Sequence, residues 1–254
     1  MIMSNITINP ETRESIVCIG RDTILKFVDL VGDKNPVHRN RKFARASGFQ
    51  QGIPVPGTLL HAYFEQFASK LGYDLQTFSL IFKKAAYPNN LLTFRKTLGG
   101  NGRLELKCLD SEGDLVALCR SELSNSTDKK DNGKLIRSYD YKISREMING
   151  FYSLLGREPE ERIPISLISS LVPSALLKFI SEKSGDCEGV YKGLNCTSHN
   201  DPTPGDLEIG LYIIGQREIR ERFFYRIRGK CSQGGRRILS ADLNVITGFE
   251  FKKI

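Results

Sequence analysis

A chain that repeats itself must fold as repeated units, and this one carries the same pattern twice. "FVDLVGDKNP" from Phe27 lines up with "FYSLLGREPE" from Phe151, sharing phenylalanine, leucine and glycine. Further on, "VPGTLL" from Val55 lines up with "VPSALL" from Val172, and "YPNNLLTF" from Tyr87 answers "TPGDLEIG" from Thr203. Each copy then offers two strand-like runs around a turn, "RLELKCLDSEGDLVALCRSEL" in the first and "RERFFYRIRGKCSQGGRRILSADLNVI" in the second. The turns "SEGD" and "SQGG" suit hairpin connections. Between the copies, "SNSTDKKDNGK" (124–134) is polar, turn-rich and without apolar periodicity, which reads as a linker. The expected division is a first unit at 1–126, a linker at 127–136 and a second unit at 137–254.

Both units read alike in outline. "TILKFVDLVG" has apolar residues at 24, 25, 27, 28, 30 and 31, which suits a short helix. "PGTLLHAYFEQFASKLG" carries Leu59, Leu60, Tyr63, Phe64, Phe67, Ala68 and Leu71, a broad apolar stripe that predicts a buried helix. The rest alternates like antiparallel strands. A buried helix followed by strands, twice over, is an α+β plan.

With 254 residues, 40% of them hydrophobic and 26% charged, the chain can supply two cores and a soluble surface. No apolar run approaches the roughly 20 residues that span a bilayer, so no membrane span is expected. "MIMSNITINPETRES" lacks the basic and apolar regions of a signal peptide. Six cysteines (18, 108, 119, 187, 196 and 231) show no CxxC spacing, so a zinc framework is excluded and reduced thiols in a cytoplasm are expected. The net charge of +8 comes from Lys and Arg spread along the whole chain. There is no basic block, RNP-like string or Cys/His finger, which argues against a nucleic-acid partner. A mildly basic surface instead suits a phosphorylated or acidic ligand.

The chemistry is concentrated in "GDKNPVH", residues 32–38. On one helix Asp33 and His38 would lie roughly 140° apart and could not converge. Pro36 has no N–H to donate, and it pushes Asn35 out of the helical region, so the helix should stop near Gly32 and a turn should follow. A turn can aim a carboxylate and an imidazole at one point, where together they can hold and polarise a water molecule. Histidine, with an ordinary pKa near 6.5, suits the proton transfer. The spacing alone favours the plainer reading, a capping aspartate and a polar loop histidine.

The longer string decides between them. "FVDLVGDKNPVHRNRKFARASGFQQGIPVPGTLLHAYF" resembles the signature of MaoC-type R-specific enoyl-CoA hydratases. That family shows a helix, G-D-x-N-P-[LIV]-H, a stretch with F-A and G-F, then I-x-x-G and the central helix. Gly32, Asp33, Asn35, Pro36, Val37, His38, Phe43, Ala44, Gly48, Phe49, Ile53 and Gly57 fall in place. Tandem copies with one degenerate half also resemble the double hot-dog members of the family. The resemblance implies a long helix wrapped by a curved antiparallel sheet in each half. It implies that Asp33 and His38 bind a water and move its protons, with Asn35 in the same binding turn. It implies that the backbone N–H of Gly57 holds the thioester oxygen, as a helix N-terminus is suited to do. Acyl-CoA or acyl carrier protein thioesters are the substrates implied, with no cofactor and no metal, and a homodimer of double units is a possible assembly. Water added at C3 and a proton at C2 would give an (R)-3-hydroxyacyl thioester; the same site run backwards is a dehydratase. A non-catalytic acyl-thioester-binding protein and a hot-dog thioesterase are the rivals.

Two features depart from the family pattern. Pro56 stands where many relatives have histidine, and Glu65 lies on the central helix at a position often small and polar, placing an acid beside the expected acyl tunnel. In the second unit, Arg157 aligns with Asp33, Arg162 approximately with His38, and Ser174 with Gly57, so that half should be silent. It is also shorter: Phe27 to Pro56 spans 29 positions and Phe151 to Pro173 spans 22, which leaves room for a longer acyl chain. His199 belongs to a Pro- and Gly-rich lead into a strand, and His61 to the buried helix, as a core or pocket-lining histidine.

Overall fold

The computed structural model describes residues 8–9, 13–98, 103–121, 133–184, 190–220 and 222–247. The first half runs β1 (Ile8–Asn9), β2 (Glu14–Cys18), α1 (Arg21–Leu30), a short 3-10 turn (Pro36–His38), α2 (Arg41–Ala46), α3 (Gly57–Lys70), β3 (Thr77–Phe82), β4 (Leu91–Leu98), β5 (Leu104–Leu109) and β6 (Leu115–Ser121). The second runs β7 (Lys134–Ile143), α4 (Arg145–Leu154), α5 (Ile165–Ser184), β8 (Val190–Ser198), β9 (Gly205–Ile219), β10 (Arg222–Gln233) and β11 (Arg236–Thr247). Residues 127–132 of the expected linker lie outside the described residues, whereas 134–136, also expected as linker, already belong to β7.

The duplication is visible in the sheet. Its strands lie in the order β1-β2-β4-β5-β6-β3-β8-β11-β10-β9-β7, so β2-β4-β5-β6-β3 and β7-β9-β10-β11-β8 are the same sequence of strands read from opposite ends. The halves join where β3 pairs antiparallel with β8, from Thr77↔Thr197 to Ile81↔Gly193. Gly193 is required there: a Cβ would stand 2.8 Å from the backbone oxygen of Leu80. The two expected hairpin turns also hold. Gly234 and Gly235, both with positive φ, close β10–β11 as a two-residue turn, and Gly113, at φ 84°, closes β5–β6.

Helices α1 and α4 end in the same way. Asp33 N–H bonds the carbonyl of Val28 and Gly32 N–H that of Asp29; Arg157 N–H bonds Tyr152 and Gly156 N–H bonds Ser153. Gly32 and Gly156 take positive φ, so each helix closes in a Schellman motif at the expected glycine. The alignment fails further on. Val172-Pro173 is not a helix start but lies inside α5, which begins at Ile165 directly after Pro164. The true counterpart of Pro56-Gly57 is therefore Pro164-Ile165, and Phe151 to Pro164 spans 13 positions against 29 in the first half. Ser174 does not correspond to Gly57. What the second half lacks is the whole 3-10 turn and α2, a larger loss than the repeat suggested. The "VPxxLL" match misled because α5 is largely apolar and buried, its serines included, so a short apolar string aligns in several registers.

That helix also corrects the expectation about apolar length. Ile165–Lys183 is long and apolar enough to cross a bilayer by composition, yet most of it is buried, with α3 on one side and strands of the sheet on the other. The fifth residue of each helix meets its counterpart: His61 Nδ1 and Ser169 Oγ are 3.0 Å apart. His61 is fully buried, its ring 4.3 Å from that of Phe78, and its Nε2 has no hydrogen-bond partner among the described residues. Burial lowers its pKa to about 3.

The folded chain therefore keeps His61 neutral, while the unfolded chain protonates it below about 6.5. Stability is lost as pH falls from that value towards 3, at about 1.4 kcal/mol per pH unit for one proton. Between pH 7 and pH 5 the wild-type protein should lose about 2 kcal/mol more than His61→Leu, as measured by urea unfolding. Parallel losses in the two proteins would show that His61 does not govern acid sensitivity.

Candidate active site

The Schellman closure of α1 delivers Asp33 into a turn, and two side chains then shape that turn. Asp33 Oδ1 accepts from the N–H of Asn35 at 2.8 Å, and Asn35 Oδ1 accepts from the N–H of Val37 at 3.1 Å. Pro36 begins the 3-10 turn that ends at His38, its missing N–H being no loss at a first helical position. The chain is thereby turned back so that His38 Nε2 stands 3.9 Å from Asp33 Oδ2. Arg39 secures the arrangement from outside, donating to the Asp33 carbonyl at 3.1 Å and pairing with Asp29 at 2.8 Å.

His38 is oriented by its other nitrogen, Nδ1, 3.0 Å from the carbonyl of Pro54. That carbonyl can only accept, so Nδ1 carries the proton and Nε2 presents a lone pair towards Asp33. Burial lowers the His38 pKa below the ordinary histidine value, against the opposing pull of Asp33 and Pro54, and Arg39 lowers it further. At neutral pH the ring is therefore an unprotonated base. Asp33, Asn35 and His38 are all buried, with 7%, 7% and 8% exposure.

A cavity of about 340 Å³ opens beside this pair, lined by Asn35, His38, Gly57, Phe82, Lys83 and Tyr191 among others. Of the four residues expected from the sequence, Asn35, His38 and Gly57 line it, and Asp33 stands beside it against His38. Gly57 is the first residue of α3, where an N–H has no partner within the helix. A Cβ there would meet the Phe82 ring at 2.4 Å, so any larger residue would force that ring out of its place. Lys84, also on the cavity wall, is held by Asp110 at 2.6 Å and Asp114 at 2.9 Å, with Glu112 at 3.8 Å. Among the described residues that acidic trio alone converges tightly enough for a metal ion, and the Lys84 ammonium already sits against it. His199 is elsewhere, 3.0 Å from Ser240 Oγ.

Two functional features escaped the sequence. Tyr191 and Phe82 reach the cavity from β8 and β3, and only the join between halves brings them together; no motif marks them. Glu65 does not line the cavity. Its carboxylate accepts from the N–H groups of Ile165 and Ser166, both at 2.9 Å, and from the Ser166 hydroxyl. It caps α5 at the very position corresponding to Gly57. Burial raises its pKa while these donors hold it down. In the second half, Arg157 stands where Asp33 would and pairs with Glu160; with the 3-10 turn absent no residue corresponds to His38, and Arg162 pairs instead with Asp74 of the first half.

No protein-family model and no curated protein sequence matches the chain. Solved structures do. It is similar to a MaoC-like dehydratase at TM-score 0.66 and 14% identity, covering 91% of this chain and 95% of that one. It is similar to a conserved hypothetical Mycobacterium tuberculosis protein described as having a double hotdog fold, at TM-score 0.64 and 10% identity, over 96% and 97% of the two chains. A putative oleoyl thioesterase from Lactobacillus plantarum matches at TM-score 0.57 and 10% identity, over 78% and 91%. The fold is a double hot-dog, and MaoC-like dehydratases are among the proteins that share it.

Glu65→Ala should strip an acceptor from two helix-start N–H groups and cost about 1–3 kcal/mol of stability. Thermal or urea unfolding measures this, and a loss below about 0.5 kcal/mol would contradict the capping role.

Proposed function

We propose that the protein adds water reversibly to trans-2-enoyl thioesters, carried on coenzyme A or an acyl carrier protein, to give (R)-3-hydroxyacyl thioesters. The observation that carries this reading is the pairing of Asp33 Oδ2 and His38 Nε2 across 3.9 Å at a cavity that also meets Gly57. That gap is too long for a direct hydrogen bond, but one water can donate to both atoms. As its oxygen attacks C3, a proton passes to the His38–Asp33 pair and is returned to C2. Between these events the negative charge rests on the thioester oxygen as an enolate. The Gly57 N–H, at the positive end of α3, stabilises that charge. The lowered pKa of His38 supports the scheme, since the base must be unprotonated to accept. Dehydration uses the same groups in reverse. The structural likeness to MaoC-like dehydratases agrees with this chemistry. The likeness to a putative thioesterase makes hydrolysis the competing reaction, distinguished by release of free thiol.

Asp33→Asn and His38→Ala should each lower kcat/KM for crotonyl-CoA by about a hundredfold or more with the fold retained. Losses below about tenfold in both would reject acid–base catalysis by this pair. Free thiol appearing in place of enoyl loss would make the protein a thioesterase. Because protonation of His38 disables it, hydration should fall as pH drops, with an acid limb below 6.5 in kcat/KM.

Chain length is a further test. With Glu65 withdrawn to α5 and the second half lacking the segment that would overhang the pocket, kcat/KM should rise from four-carbon to medium-chain substrates. Each buried CH₂ contributes at most about 0.8 kcal/mol. A steep fall by six carbons would show a closed pocket.

A further inference from the structure

Tyr191 comes from the half that carries no acid–base pair, yet it stands in the other half's cavity. Its ring meets Phe82 edge-on, with centroids 5.9 Å apart and planes at 73°, and Phe82 lies directly against Gly57. Its side chain lies near Thr58, the second residue of α3, and within the field of Asp33. Burial raises its pKa, so the phenol keeps its proton at neutral pH.

A phenol that keeps its proton can donate a hydrogen bond. Near the positive end of a helix its O–H is polarised and becomes a better donor. Tyr191 lines the same cavity as Gly57, and Phe82 lies between the two, so the tyrosine flanks the wall where Gly57 would bind the thioester oxygen.

We propose that Tyr191 is a catalytic residue, its O–H donating a second hydrogen bond beside the Gly57 N–H to the thioester oxygen, so that the half without acid–base groups completes the oxyanion site of the other. This rests on the hydratase reading. The donor is positioned before substrate arrives, because Phe82 holds the ring. A preorganised donor of this type acts mainly on the transition state, where the charge on oxygen is greatest. Its loss therefore reduces kcat and leaves KM almost alone.

The test is Tyr191→Phe, which retains the ring and its packing on Phe82. With crotonyl-CoA, kcat should fall about thirty- to several-hundredfold, KM should change less than about threefold, and the melting temperature should stay close to wild type. A second readout reports on the oxygen itself. A cinnamoyl-CoA-type thioester, whose absorbance moves to longer wavelength as its carbonyl is polarised, should shift on binding wild type. Most of that shift should vanish in Tyr191→Phe and survive in Asp33→Asn. If wild type hydrates crotonyl-CoA while Tyr191→Phe keeps kcat within about threefold and the full shift, the role of Tyr191 is overturned and the hydratase reading stands. If wild type neither hydrates nor shifts the probe, both fall.

Discussion

The ladder between β3 and β8 is the contact on which the rest of the molecule depends. It merges a six-strand half and a five-strand half into one sheet, and it is tight enough that Gly193 cannot carry a side chain. Once those strands pair, α3 and α5 must lie side by side on the sheet. His61 then meets Ser169, and Glu65 reaches the start of α5. The same pairing sets Phe82, at the end of β3, against Tyr191, at the start of β8. The cavity wall is thus made by the join and not by either half alone.

Local signals in the sequence were read well because they act over a few residues. Glycine at 32 and proline at 36 stop α1 and build the turn, and the structure puts Asp33, Asn35 and His38 where that turn sends them. The apolar stripe from Leu59 to Leu71 likewise became α3, ending one turn's fraction early at Lys70. Long-range placements were not legible. Nothing in "LVPSALL" distinguishes a helix start from a helix interior when the helix is buried on nearly every side, so the repeat aligns out of register there. Tyr191 carries no motif, and its role appears only through a strand pairing more than a hundred residues distant in sequence from β3. Glu65 was assigned to an acyl tunnel because its helix was right; its direction, towards α5, depends on a neighbour the sequence had misplaced.

The two halves show how one scaffold separates stability from chemistry. Both close their first helix with the same hydrogen bonds, and both bury a central helix against the same order of strands. They differ in the segment between those helices. The first half spends sixteen additional positions there to form the turn, α2 and the approach to Gly57. The second passes directly from Gly156 to Ile165, and its freed helix start is closed by a side chain from its neighbour. Arg157 where Asp33 would stand is then harmless, being paired with Glu160 on the surface.

Glu65 also says something about why the two halves share a chain. Were the molecule a pair of identical subunits, any acid at this place would occur twice, and each copy would reach across to the partner's helix start. Both starts would then be closed, the one presenting Gly57 included. Covalent fusion lifts that symmetry. A single genetic change can seal one end while its counterpart, held by Pro173 on α5, has no carboxylate to offer. A one-sided helix cap of this kind is available only to a chain whose halves can change separately.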